Sequence, residues 1–282
     1  MAIILALIPA IAWGSIGLVS GKLGGNAYQQ TLGMTLGALV FGIGTFLVAQ
    51  PAMDMKVWAL GILSGLFWSL GQSQQFQSMK FMGVSLTVPI STGMQLVANT
   101  LAGALLFAEW KTSKDVFLGL LALFLLIAGA YLTSKKEKSD ATAGNSVGKG
   151  LRTLLISTVG YAGYTIVITA GHLDALAVVL PQSIGMVIGA SLFAFGHDAM
   201  AKGTWKNIIT GLLWGTGNVF MLLSIKPVGL AVSFSLAQMG IVISTFGSIY
   251  LLGEKKTHKE MRYVTIGSLL VILGGVVLGI MK

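Results

Sequence analysis

Residues 30–41 read QTLGMTLGALVF, and residues 182–193 read QSIGMVIGASLF. Six of the twelve positions are identical. Both segments are uncharged and sit inside longer apolar runs. The match is not isolated. Gly65, Trp68, Gly71, Ser78, Lys80 and Gly83 recur in register as Gly211, Trp214, Gly217, Ser224, Lys226 and Gly229. Glu109-Trp110-Lys111-Thr112 recurs as Glu254-Lys255-Lys256-Thr257. Three matches in the same order mark an internal duplication.

Composition says what was duplicated. The chain is 55% hydrophobic and 10% charged, with a mean hydropathy of +0.85. Soluble domains carry about 25% charged residues, so a soluble fold is excluded. A membrane helix needs roughly 17–25 mainly apolar residues. The sequence predicts ten such spans, at 2–21, 30–49, 57–79, 84–107, 116–134, 151–171, 175–196, 207–225, 228–252 and 262–281. The apolar start has no basic region before it and no small-residue cleavage site after it, so it reads as the first retained span rather than a signal peptide. Lys135 to Gly150, KKEKSDATAGNSVGKG, is charged and aromatic-free and reads as a flexible linker. The expected organisation is a first five-helix repeat over 1–134, the linker over 135–150, and a second repeat over 151–282.

An odd number of spans per repeat makes the second half enter the membrane from the opposite face. The expected fold is therefore all-α and integral to the membrane, with two inverted repeats related by a pseudo-two-fold axis in the membrane plane. Secondary transporters share that plan, with the solute held near the midplane between the repeats. Orientation follows from Lys and Arg. Thirteen of the 18 fall in the loops after spans 1, 3, 5, 7 and 9. The positive-inside rule puts those loops in the cytoplasm of a bacterial cell and both termini outside. The glycine pairs Gly33/Gly37 and Gly185/Gly189 have G-x-x-x-G spacing and predict close packing within each half.

Several chemistries drop out. There are no Cys residues, and His172, His197 and His258 lack zinc-site spacing. No nucleophile elbow or phosphate-cradling loop is present. No catalytic group, metal or cofactor is expected. The net charge of +9 belongs to loops, and no basic, aromatic-interleaved surface suggests nucleic acid.

The span centres hold no Asp, Glu, Lys or Arg. A buried charge needs a partner, so an ionic solute is disfavoured. What remains inside is amides, hydroxyls and indoles, which suit a neutral polyhydroxylated solute: amides both donate and accept, and aromatic faces pack on a sugar ring. These residues fall on stripes. Ser64, Trp68, Gln72 and Gln75 share one face of span 3. Trp214 and Asn218 repeat the pattern in span 8, and Gln30 and Gln182 correspond in spans 2 and 7. The candidate solute site is Trp13, Trp68, Gln72, Gln95, Asn99, Tyr161, Tyr164, Trp214, Asn218 and Gln238. The alternative for any single polar residue is interhelical glue, worth about 0.6 kcal/mol.

The segments AWGSIGLVSGKLGG (Ala12 to Gly25), Phe67 to Leu96 and Gly211 to Gly247 resemble the bacterial glucose/ribose porter family of the drug/metabolite transporter superfamily. The resemblance covers nearly the whole chain. It implies the five-plus-five inverted fold and monosaccharide uptake, with glucose first. The family is described as proton-coupled. With no midplane carboxylate here, Glu109 and Glu254, paired by the repeat, are the proton-coupling candidates, and an end-of-helix salt bridge is their alternative role. The rival functions are an exporter of amino acids or related metabolites on the same fold, and a membrane enzyme or sensor. The expected partners are a sugar, the lipid bilayer and protons.

Overall fold

The computed structural model of the chain describes residues 2–82, 84–135, 147–251 and 256–281. Among these residues the structure is helical throughout, without strands. The helices are α1 (Ala2–Leu23), α2 (Ala27–Ala49), α3 (Met55–Met82), α4 (Val84–Leu101) running into a π turn (Ala102–Leu106), α5 (Ser113–Ser134), α6 (Val147–Ala170), α7 (Val179–Ala194), the short α8 (Lys202–Lys206), α9 (Ile208–Val228), α10 (Leu230–Ala237), α11 (Gly240–Leu251) and α12 (His258–Ile280).

Local sequence sets the ends. After α1 the chain turns through Gly24 and Gly25 at φ +73° and +98°, a region glycine reaches without strain. Asn26 then caps α2. Its side chain accepts from the Gln29 N–H, and the Gln29 side chain accepts from the Asn26 N–H. The same reciprocal box opens α5 (Thr112 with Asp115) and α12 (Thr257 with Glu260), at positions the duplication relates.

Three boundaries differ from the sequence reading. The span expected over 228–252 is two helices, α10 and α11. They meet where Gly240 packs against the backbone of Ala10 and Gly14 on α1, an approach a side chain would block. The span expected over 175–196 is shorter, because the Asp174 carboxylate accepts from the Leu176 and Ala177 N–H groups and holds a turn before α7. Residues 147–150, expected in the linker, already belong to α6. Residues 136–146 of that linker lie outside the described residues.

Among the described residues, seven segments are long and apolar enough to cross a membrane: 3–23, 27–49, 113–133, 148–170, 202–228, 230–251 and 258–278. Two shorter apolar helical segments cover 90–106 and 179–194. At 28 residues α3 is long enough, but its amide-rich stretch GQSQQFQ lowers its hydropathy. The distribution of side chains is inside-out for a soluble protein. Leu105, Phe117, Phe124, Leu192 and Phe195 are exposed, while Ser64, Asn99, Gln182 and Asn218 are fully buried. Such a surface needs lipid against it.

The packing crosses between the two halves. α3 lies against α6 and α7, and α9 lies against α1 and α2. α2 meets α7, α5 meets α12, and α4 meets α5, α6 and α10. Glycines bring these backbones together, as at Gly71 with Gly160 and Gly129 with Gly267. The G-x-x-x-G pairs therefore work across the halves rather than within each half. Gly33 and Gly37 face α8 and α9, and Gly185 and Gly189 face α3.

Candidate functional site

A cavity of about 490 Å³ lies where α1, α2, α3, α4, α6, α9, α10 and α11 converge. Helical spacing aims its wall. Trp68, Gln72 and Gln75 stand on one face of α3, and Trp13, Gly17 and Ser20 on one face of α1. Trp68 and Trp214, equivalent in the duplication, meet edge to face with ring centroids 5.3 Å apart. The indole N–H of Trp13 donates to the Trp214 carbonyl at 3.2 Å. This fixes three indoles together and leaves apolar ring surface toward the cavity.

Opposite the indoles is a connected set of amides. The Tyr161 hydroxyl lies 2.8 Å from Gln72 Oε1 and 3.0 Å from Gln75 Oε1, and it can donate to either. Gln75 Nε2 donates to Ser91 Oγ at 2.8 Å, and Gln95 Nε2 donates to the same oxygen at 3.0 Å. Among the described residues the side chains of Gln30 and Gln238 and the Nε2 of Gln72 make no hydrogen bond. Donors are thus left for a guest, and among the described residues the wall holds no Asp, Glu, Lys or Arg. Such a site can hydrogen-bond hydroxyls and stack on a ring, and it offers no partner for an ion.

Eight of the ten candidate residues line this cavity: Trp13, Trp68, Gln72, Gln95, Tyr161, Tyr164, Trp214 and Gln238. Asn99 and Asn218 do not reach it. Asn99 is buried behind the wall, where its Nδ2 donates to the Gln95 carbonyl and its Oδ1 accepts from Thr165 Oγ1. Asn218 lies in a closed chain. Its Nδ2 donates to Gln182 Oε1 at 2.6 Å, Gln182 Nε2 donates to Ser64 Oγ at 2.8 Å, and Ser64 Oγ donates to the Tyr164 carbonyl at 2.8 Å.

The structure adds lining residues beyond the candidate set, among them Gln30, Gln75, Thr92, Thr210 and Ser244. Gln75 already stood on the polar stripe of span 3, and Gln30 at a repeat position. Thr210 was findable as the repeat partner of Ser64. Ser244 carried no signal, because the break between α10 and α11 resets the helical phase.

Glu109 sits away from the cavity. Its carboxylate accepts from the backbone N–H groups of Leu230 (2.6 Å) and Ala231 (3.0 Å) and caps α10. A carboxylate there satisfies orphan donors and complements the helix dipole. The alternative expected for Glu109 is an end-of-helix salt bridge; it does sit at a helix end, but its partners there are backbone N–H groups rather than a cation. Glu254 lies outside the described residues. A second hollow, between α4, α5 and α6, is walled by Ile90, Met94, Val97, Ile127 and Tyr131 and has little polar chemistry. A third, at the far ends of α6 and α9, includes Thr169, His172, Asp174 and Lys226.

An apolar exterior around an uncharged polar chamber defines a membrane carrier rather than an enzyme. The chain belongs to the sugar transport protein family, whose match spans residues 4–281. A Lactiplantibacillus plantarum protein named "Putative sugar uptake protein" is 59% identical over 285 residues, covering 100% of both chains. An Enterococcus faecalis protein of the same name is 57% identical over 286 residues, again covering 100% of both. The "Probable glucose uptake protein GlcU" of Priestia megaterium is 49% identical over 285 residues and 100% of both chains. A crystal structure of a protein 15% identical in sequence superposes with a TM-score of 0.78 over 98% of this chain and 95% of that one. At that identity the likeness speaks for the fold alone.

Proposed function

We infer that the protein takes up a monosaccharide, glucose first, across the bacterial cytoplasmic membrane by alternating access. The observation that carries this is the cavity wall: three indoles and a set of amides, two of them unbonded, with no charge among them. The names of the relatives from L. plantarum and P. megaterium agree with a sugar as solute. The candidate residues lining the cavity are assigned to the solute, with the Trp68–Trp214 pair against the ring and Gln72, Gln95 and Gln238 toward hydroxyls. A zwitterionic amino acid would find no partner for either charge, which weighs against the exporter.

The ten-span inverted plan is the fold we assign. α1 to α5 form the first repeat, and α6, α7, α9, the broken α10–α11 and α12 form the second, within 1–134 and 151–282. The helix partnerships support it, because α3 on α6 and α7 mirrors α9 on α1 and α2. The positive-inside count supports a cytoplasmic position for the loop between α1 and α2 and outward termini. The cavity wall reaches Ser20, Gly21 and Gln30 beside that loop, which on this orientation is its cytoplasmic end. Proton coupling is part of this proposal only through Glu109 and Glu254. Protonating Glu109 would remove charge from the α10 cap and loosen that helix end.

Reconstituted vesicles, given a panel of labelled monosaccharides with and without an imposed pH gradient, test the reading. Glucose is expected to enter and to exchange in counterflow. Exchange of labelled amino acids with no exchange of any sugar would overturn it.

A further inference from the structure

The duplication relates the mouth of the chamber to a second place on the protein. Trp13 on α1 packs on Gly217 of α9, and Tyr161 on α6 packs on Gly71 of α3. Gly71 and Gly217 are repeat partners, so Trp13 and Tyr161 are partners too. From that pairing Ser20 corresponds to Ile168, Gly21 to Thr169 and Gly24 to His172. The backbone agrees. Gly24 and His172 each lie just past the first helix of their repeat, and both are left-handed, at φ +73° and +51°. On α3 and α9, Gln72 corresponds to Asn218 and Gln75 to Met221.

Ser20, Gly21, Gln72 and Gln75 line the open chamber. Among their partners, Ile168 and Thr169 line the hollow at the far ends of α6 and α9. Asn218 and Met221 are fully buried, deeper along α9. The far hollow is therefore the counterpart of the open mouth, and it too measures about 490 Å³. The floor between hollow and chamber is apolar. Tyr164 and Ile168 follow one another on a face of α6, as do Trp214, Met221 and Leu222 on a face of α9. Ile168, Met221 and Leu222 are buried in one cluster with Trp68, Tyr164 and Trp214 of the chamber wall. Where the mouth has Ser20 and Gln75, the floor has Ile168 and Met221. A hydroxyl and an amide favour a wet gap, whereas an alkyl group and a thioether favour a closed, dry one.

Above the floor the hollow turns polar. Asp174 Oδ1 accepts from the Leu176 and Ala177 N–H groups, which fixes the carboxylate. Among the described residues its Oδ2, the His172 ring and the Lys226 ammonium have no hydrogen-bond or ion-pair partner. Thr169 Oγ1 donates to the Thr165 carbonyl and keeps its lone pairs. The hollow thus presents acceptors and donors in near balance of charge. Leu173 and Leu222 give it apolar wall.

We propose that this hollow is a second solute subsite, taking a neutral polyol from the face opposite the chamber mouth, and that Ile168, Met221 and Leu222 are the apolar gate between it and the indoles. The proposal rests on the carrier reading above. Asp174 accepts from solute hydroxyls, and Lys226 and His172 donate to them.

The chain has no Cys, so a thiol reports only from where it is introduced. In sealed vesicles, Thr169→Cys is expected to react with a membrane-impermeant thiol reagent from the face opposite the chamber mouth, and glucose on that face is expected to slow the reaction. Asp174→Asn keeps an oxygen for the two N–H groups but loses the charge. It should raise the glucose concentration needed for protection about tenfold. Lys226→Gln carries the same readout if Asp174→Asn does not reach the membrane. A Thr169→Cys that reacts only from the chamber side, or that no monosaccharide protects, overturns the subsite. For the gate, Ile168→Ser and Met221→Gln install the residues of the open mouth. Each is expected to speed labelling of Gly17→Cys in the chamber from the far face about tenfold, the equivalent of about 1.4 kcal/mol against the closed floor. If neither folds, Leu222→Val thins the same floor and is read the same way. An unchanged rate removes the gate. Glucose flux without protection of Thr169→Cys sinks the subsite and leaves the carrier reading standing. Protection without flux of any sugar does the reverse.

Discussion

Gln72 and Thr210 stand in an open cavity, and their repeat partners Asn218 and Ser64 are buried in a hydrogen-bonded chain with Gln182. The helix pairs behind the two regions are set in the same register: Gly211 meets the Met34 carbonyl as Gly65 meets that of Gln182. What differs is the side chain at that place, an amide on α7 and a thioether on α2. The comparison teaches that an amide is tied down or left for a guest according to the partner that stands opposite it, and not by its own polarity.

The strongest way to break this comparison is to block the interfaces. Gly37→Leu would drive a side chain into the Ile208 carbonyl, and Gly185→Leu into the Ile62 carbonyl. Backbone cannot rotate aside, and overpacking is destabilising by about 1–3 kcal/mol or more. Both variants are expected to lose most folded protein in the membrane, by immunoblot and by melting in detergent, whereas Gly17→Ala, which meets nothing within 4 Å, melts like the wild type.

A smaller effect separates the wall from the buried chain. Gln72→Ala is expected to weaken glucose transport about tenfold, as about 1–3 kcal/mol of lost polar pairing implies. Asn218→Ala, which strips Gln182 Oε1 of its donor, is expected to lower melting instead. Half-saturation and melting measured on both variants check this, and a wild-type half-saturation for Gln72→Ala would remove that residue from the site. Tyr161→Phe removes one hydroxyl that bridges Gln72 and Gln75. It should raise the half-saturation concentration only about three- to tenfold, for a net hydrogen bond of roughly 0.5–1.5 kcal/mol.

The smallest expected effect concerns Glu109. Glu109→Gln keeps one oxygen for the α10 N–H groups but loses the charge. Caps are worth about 0.5–2 kcal/mol, so melting should fall by a few degrees. Stimulation of uptake by a pH gradient should persist if Glu109 is only a cap. Loss of that stimulation with melting unchanged would make it the proton carrier.

Much of this was legible in the sequence, for identifiable reasons. The α2 and α7 segments kept Gln, Gly, Met, Gly, Ala and Phe in place, so the duplication and eight of the cavity residues followed from spacing. Repeat matching found Trp68 and Trp214 as a pair, but it could not say that Asn218 would be sealed while Gln72 stayed open. Sequence equivalence is blind to the partner across the halves, which is Gln182 for Asn218 and Met34 at the matching place on α2. The break in the span over 228–252 was also hidden, because it arises from Gly240 meeting the α1 backbone at Ala10 and Gly14, a contact far apart in the chain. Glu109 stood out in the sequence as the repeat partner of Glu254, a proton-coupling candidate or an end-of-helix salt bridge, but its cap on α10 was hidden, since its partners Leu230 and Ala231 lie more than a hundred residues away.

The central claim is that the sugar occupies the cavity between the indoles and the amides. Gly17 is part of that wall and has open space in front of it, so Gly17→Cys puts a lone thiol in the chamber. The rate at which a small thiol reagent labels it, followed in vesicles as glucose is raised, tests the claim most directly. Labelling is expected to slow with a half-effect at the sugar's transport half-saturation, and to ignore amino acids. A rate untouched by saturating glucose, in a variant that still transports it, would contradict the account.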